Sequence, residues 1–136
     1  MRACFVVAIL ALAVPSASAV AQSVQYRSPA GIEYRSAIDT GAVATAESAL
    51  AASPRDVEAI IALGLAQSGI MQYREAIATF TRGIELAPDN AVLHRWRGHR
   101  YLSVREMDRA RADLERGLSI DSTCYGCLYH LGIVRY

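Results

Sequence analysis

Lysine is absent: all 14 basic residues are arginine, set against 13 acidic residues. Losing Arg2 with a removable N-terminal segment leaves 13 of each, so the mature chain is close to neutral. A neutral chain lacks the electrostatic footprint of a nucleic-acid binder, and no nucleic-acid partner is expected. Beyond the N-terminus no apolar run is long enough to span a bilayer. A Ser/His/Asp arrangement, a Gly-rich phosphate loop and a metal-binding His pair are all missing, so no catalytic residue, cofactor or metal is expected. Paired acids such as Glu106 and Asp108 read as helix-start charges, which the helix dipole favours. Cysteine is scarce too, with three in all, one of them Cys4 at the extreme N-terminus. The other two form Cys124-Tyr125-Gly126-Cys127. A redox enzyme would need a thioredoxin-like strand and helix pattern around that motif, and none is present. Haem attachment needs His after the second Cys, where Leu128 stands. Zinc could use Cys124, Cys127 and His130, but a fourth ligand is not visible. What remains is a local disulfide, permitted in an exported protein, or two small packing residues.

The N-terminus supports export. Met1-Arg2 precedes the uncharged run Ala3–Val14, which Pro15 and Ser16 close, and Ala17-Ser18-Ala19 and Ala19-Val20-Ala21 are both small-x-small cleavage sites. A basic start, an apolar centre and a small-residue exit make residues 1–21 a secretory signal peptide. The run is too short for a comfortable membrane anchor, and Cys4 lies too far upstream for lipid attachment at the cleavage point. The mature chain, about 115 residues and enough for one domain, is expected in a bacterial periplasm or secreted.

What the chain has in quantity is repetition. Gly64, Gly98 and Gly132 stand 34 residues apart; Ala42, Ala76 and Ala110 keep the same interval, as do Pro54 and Pro88, and Ala49, Gly83 and Gly117. Phe80 and Leu114 form a bulky column, with Ala46 one period earlier. Several columns at one period mean one supersecondary unit, copied and stacked, and such arrays more often hold partners than run reactions. Val57–Gly69 and Gln72–Leu86 read as one helix pair, closed by Ala87-Pro88-Asp89-Asn90. Asp89 or Asn90 can cap the next helix, which runs from about Ala91 to Ser103 and is followed by Arg105–Ile120. Asp121-Ser122-Thr123 turns into a last helix, Tyr125–Tyr136. Close helix crossing is the expected reason for all three glycines of the first column, since glycine inside a helix costs up to about 1 kcal/mol.

Leu63-Gly64, then Ala76-x-x-x-Phe80, then Pro88 resembles the tetratricopeptide repeat (TPR). The resemblance covers 39–136. The first full unit is Val57–Asn90, with Ile60 and Gln67 in place of the family's Trp and Tyr. The second is Ala91–Cys124, in which Gly98, Tyr101, Ala110 and Leu114 match, while His94, Arg97 and Ser122 depart from Trp, Leu and Pro. Residues 39–54 resemble a degraded second helix and 125–136 an opening first helix. The resemblance implies an all-α fold, antiparallel helix pairs stacked as a right-handed TPR solenoid of about two full repeats plus flanking half-repeats. Residues 22–38, broken by Ser-Pro-Ala-Gly at Ser28–Gly31, read as an irregular lead-in, partly disordered, with Gly31–Ile38 packing on the first helix.

Family register also implies a concave groove lined by the first helix of each unit, holding a peptide or protein segment. Its lining here would be Ile61 and Leu65, then Arg95 and His99, then Tyr129 and Ile133: an apolar floor with two polar handles. The segment from His94 to Tyr101 interleaves arginine with aromatics, and its arginines suit either anion binding or pairing with acids on neighbouring helices. The function implied is a non-enzymatic interaction module. The alternatives are an assembly subunit that stacks through its open helical end, and an accessory region of a longer chain. Tyr125, Leu128, Tyr129, Leu131, Ile133, Val134 and Tyr136 give the last helix few polar residues to face water. It is therefore expected either to belong to a longer chain or to be covered by another, with self-association as one outcome.

Overall fold

A computed structural model describes residues 22–135; the segment read as a signal peptide and Tyr136 lie outside the described residues. The order is β1 (Val24–Arg27), β2 (Glu33–Arg35), α1 (Ala42–Ala52), α2 (Val57–Gly69), α3 (Tyr73–Leu86), α4 (Ala91–Ser103), α5 (Met107–Ile120) and α6 (Tyr125–Val134). Each helix packs on the next in sequence. Thus α2 and α3 form the first unit and α4 and α5 the second, while α1 and α6 are single helices at either end.

Local chemistry sets the helix boundaries. Asp56 caps α2 by accepting from the Glu58 N–H at 2.9 Å. Of the two candidates for α4, Asn90 is the cap, accepting from Val92 and Leu93; Asp89 instead pairs with Arg116 at 2.6 Å. These side chains satisfy amides that a helix start leaves without partners. The Asp39 carboxylate does the same for α1, accepting from Gly41, Val43 and Ala44. Burial acts to raise its pKa, but the backbone hydrogen bonds prevail and hold it below the ordinary value. The turns inside both full units carry a feature invisible in composition: Met71 (φ 61°) and Arg105 (φ 65°) are left-handed. Side-chain-bearing residues rarely adopt that region, and Arg105 therefore cannot open α5, which starts at Met107 instead.

The repeated small residues are contact points. A Cβ added at Gly64 would lie 2.4 Å from the Phe80 ring, and one at Gly98 would lie 2.9 Å from Leu114 Cγ. In both units the bulky column of the second helix sits directly on the glycine of the first. Gly132 differs, contrary to expectation: nothing described lies within 4 Å of its added Cβ. The core follows the stacking, with one cluster around Ile60 and Leu63, a second around Phe80 and Leu93, and a third around Leu114, Cys127 and Leu131.

Residues 22–38 are not an irregular lead-in. They form an antiparallel hairpin that pairs Val24 with Arg35 and Arg27 with Glu33. The Ser-Pro-Ala-Gly stretch is its turn, with Gly31 at φ 80°. The hairpin docks on the α2–α3 turn and the start of α3 rather than on α1. Ala37 N–H donates to the Ile70 carbonyl, and Gln25, 2% exposed, reaches the first turn of α3. Gln25 Oε1 accepts from the Arg74 N–H at 2.7 Å, and its Nε2 donates to Glu75 at 2.8 Å. Helix α3 has no side-chain cap of its own, so the hairpin supplies one.

Candidate functional site

Aromatic and basic side chains of α4 and α6 meet on one side of the stack. The His99 and His130 rings stack with centroids 4.0 Å apart, and Trp96 lies 6.0 Å from His99. The Arg95 guanidinium sits 4.5 Å from the Trp96 ring centroid. Its aliphatic stem crosses Gly126, where an added Cβ would lie 2.7 Å from Arg95 Cδ. Tyr129 stands edge-on to His130 at 5.2 Å. Tyr129 and Ile133 are exposed by 63% and 50%, and Leu65 by 37%. Ile61 must be removed from the expected lining: it is buried among Ala76, Phe80 and Leu93, with Trp96 packed against the same cluster.

Trp96, His130 and Arg100 were not among the expected site residues. Trp96 and His130 stand 34 apart, so they form a column that could have been found with the others. Arg100 is 8% exposed; it donates to His99 Nδ1 at 2.6 Å and lies over the Tyr73 ring. Among the described residues, Arg95 Nε, Arg100 Nε and His130 Nδ1 are buried without a hydrogen-bond partner. Buried polar atoms are normally paired, so this face has unmet hydrogen-bonding capacity beside its aromatic rings.

Burial and neighbouring arginines lower the pKa of both histidines. Burial, followed by the nearby Arg100, His130 and Arg95, lowers the pKa of His99 from the ordinary 6.5 to about 4. Burial, then Arg100 and Arg95, lowers that of His130. The unfolded chain therefore takes up a proton at His99 that the folded chain refuses until about pH 4. Its contribution to stability is present above pH 6.5 and is lost as the pH falls towards 4. A His99→Gln variant should show a flatter decline of thermal midpoint over that window than the parent. Coincident slopes would show that His99 is not the group responsible.

The third histidine has another role. His94 Nδ1 lies 3.2 Å from Asp113 Oδ1, and its Nε2 lies 3.0 Å from the Pro88 carbonyl. Arg97 binds the same carboxylate through two bonds of 2.7 Å and also reaches Thr81 at 3.1 Å. The hydrogen bond to Asp113 raises the pKa of Arg97 further, against the opposing effect of burial. The arginines of α4 thus divide: Arg97 pairs with an acid on α5, and Arg95 stays on the open face.

Cys124 and Cys127 are joined, with Sγ atoms 2.07 Å apart. The bridge links the N-cap of α6 to its first turn, and Cys127 is fully buried beneath Gly117. Bridged sulfurs do not offer thiolates to zinc. Among the described residues no group of three metal-ligating side chains occurs, and no helix is long and apolar enough to cross a membrane. A cavity of about 210 Å³ lies under the hairpin, between Tyr26, Tyr34, Tyr73, Arg35 and Arg105. It is smaller than the roughly 300 Å³ at which small-molecule sites usually begin.

Helix pairs repeating every 34 residues, with a bulky residue of each second helix seated on a glycine of the first, define the tetratricopeptide-repeat fold. Solved structures bear this out. The first TPR domain of Spaghetti (RPAP3), bound to the HSP90 peptide SRMEEVD, matches with a TM-score of 0.66 at 14% identity, over 68% of this chain and 74% of that one. MamA matches at 0.65 and 24% identity, over 69% of this chain and 55% of that one. YrrB, a TPR protein with an unusual peptide-binding site, matches at 0.64 and 19% identity, over 66% and 46%. The match therefore spans only about half of the MamA and YrrB chains. No family model matches the chain, and no curated protein does.

Proposed function

We propose that this chain is a non-enzymatic interaction module that holds a protein segment across the α2, α4 and α6 faces. The carrying observation is the juxtaposition on α4 and α6 of exposed Tyr129 and Ile133 with buried, unpartnered Arg95 Nε and His130 Nδ1. Such a face matches a segment that offers an apolar side chain next to a carboxylate or carbonyl acceptor. Aromatic and arginine side chains are also the usual anchors of binding energy. The RPAP3 domain, which shares the fold, holds an acidic peptide. Export belongs to the same reading and rests on residues 1–21. N-terminal sequencing of periplasmic protein, expected to begin after Ala19 or Ala21, checks that part.

The face is tested by selecting a displayed peptide library on the parent protein and measuring the enriched peptides by titration. They should carry an acidic residue near an aromatic or aliphatic one. Arg95→Ala with His99→Ala, and separately Tyr129→Ala, should each weaken them at least about tenfold, equivalent to roughly 1.4 kcal/mol, with helical circular dichroism retained. Affinities unchanged in both variants would move the binding surface elsewhere.

A further inference from the structure

Among the described residues, nothing covers the surface of α6 that faces the second helix in the earlier units. Ile60 is 0% and His94 6% exposed, whereas Leu128, the next member of that column, is 52% exposed. Gly64 and Gly98 are covered by Phe80 and Leu114, and Gly132 by nothing described. Tyr125, one turn earlier, is 81% exposed. A face of this kind takes an antiparallel helix that brings a bulky apolar side chain to the glycine.

We propose that the occupant is α6 of a second copy of this chain, related by a two-fold axis that passes near residue 130. Competing occupants are a segment following residue 136 and helix α1 of another copy. In the column of Phe80 and Leu114, α1 carries Ala46, whose methyl group leaves the seat at Gly132 empty. Helix α6 carries Leu128 one turn before Gly132. In an antiparallel pair centred on residue 130, each Leu128 therefore stands level with Gly132 of the other copy, and both seats are filled at once. The same alignment sets Tyr125 against Arg135 of the second copy, an aromatic ring facing a guanidinium. Arg135 is the one charged residue of α6 and its C-cap, so the pairing opposes no like charges. An isologous contact of this kind closes at two copies. The interface stands apart from the peptide-binding reading, because Tyr129 and Ile133 lie on the neighbouring face.

Sedimentation equilibrium of the chain as processed in the cell should give twice the protomer mass. Leu128→Glu and Gly132→Phe should each weaken association at least about tenfold. Leu128 is half exposed and the Gly132 seat is empty within one copy, so both variants should fold, which circular dichroism checks. Exchanging knob and seat, Leu128→Gly with Gly132→Leu, should restore the dimer, an outcome that mere loss of helix stability would not produce. A monomeric parent would overturn the proposal and leave the face to another occupant. A dimer indifferent to both single variants would locate the contact elsewhere, and assemblies growing beyond two copies would replace the two-fold axis with head-to-tail joining.

Discussion

Asp113→Ala should lower stability by about 3–5 kcal/mol, the usual consequence of removing one partner from a buried charge pair. The Asp113 side chain is 8% exposed and that of Arg97 19%. Without the carboxylate, two guanidinium bonds are lost and His94 Nδ1 loses its acceptor. The remaining positive charge would keep only the Thr81 hydroxyl and the face of the Tyr101 ring, and no anion. High salt should change the loss little, since screening acts mainly on exposed charges. Adding Arg97→Leu to Asp113→Ala should recover most of the stability, because an apolar replacement removes the stranded charge instead of leaving it buried. Urea unfolding of the parent, single and double variants measures both steps. A loss below about 1 kcal/mol for Asp113→Ala, the level of a surface pair, would mean that the network contributes no more than surface pairs do.

That network also explains what sequence could and could not give. Read one at a time, His94 and Arg97 are departures from the repeat pattern. In the structure they are one change with a common partner on the next helix, the Asp113 carboxylate. Sequence periodicity shows which positions face a neighbour but not which polar groups find each other there. The start and end of α2 and α4 follow directly from caps and the repeat columns. The start of α5 does not, because a left-handed Arg105 carries no compositional mark. The hairpin at 22–38 is not legible in the sequence because its two short strands are held by Gln25 and Ala37 bonding to distant backbone, not by a strong alternating pattern of their own. At the site, Arg95 and His99 are partly exposed and Tyr129 and Ile133 are exposed. Ile61 is buried instead, because periodicity places it on the helix but cannot say that Leu93, from the next unit, joins it in a closed core cluster.

Phe80→Ala should cost about 3–5 kcal/mol, the range for emptying a buried aromatic site, and lower the thermal midpoint by more than about 10 °C for a domain of this size. The ring is 0% exposed. It bears on Gly64 at distances that leave no room for even a methyl group, and it joins both helices of the first unit to Leu93 of the second. Gly64→Ala attacks the same contact from the other side. Alanine favours the helix by up to about 1 kcal/mol, but forcing a Cβ into the ring costs about 1–3 kcal/mol, so the net change should be destabilising. The two substitutions should not add. Once Phe80 is gone the three atoms nearest to the Cβ at position 64 are gone with it, so Gly64→Ala should turn stabilising in the Phe80→Ala background. The double-mutant cycle should therefore return a coupling of about 1–3 kcal/mol, as expected for residues in direct contact. Gly132→Ala is the internal comparison: with nothing within 4 Å of its Cβ, it should stabilise the single protomer. Additive effects at Gly64 and Phe80, or equal costs at Gly64 and Gly132, would show that the glycine column is not held by the bulky residue opposite it.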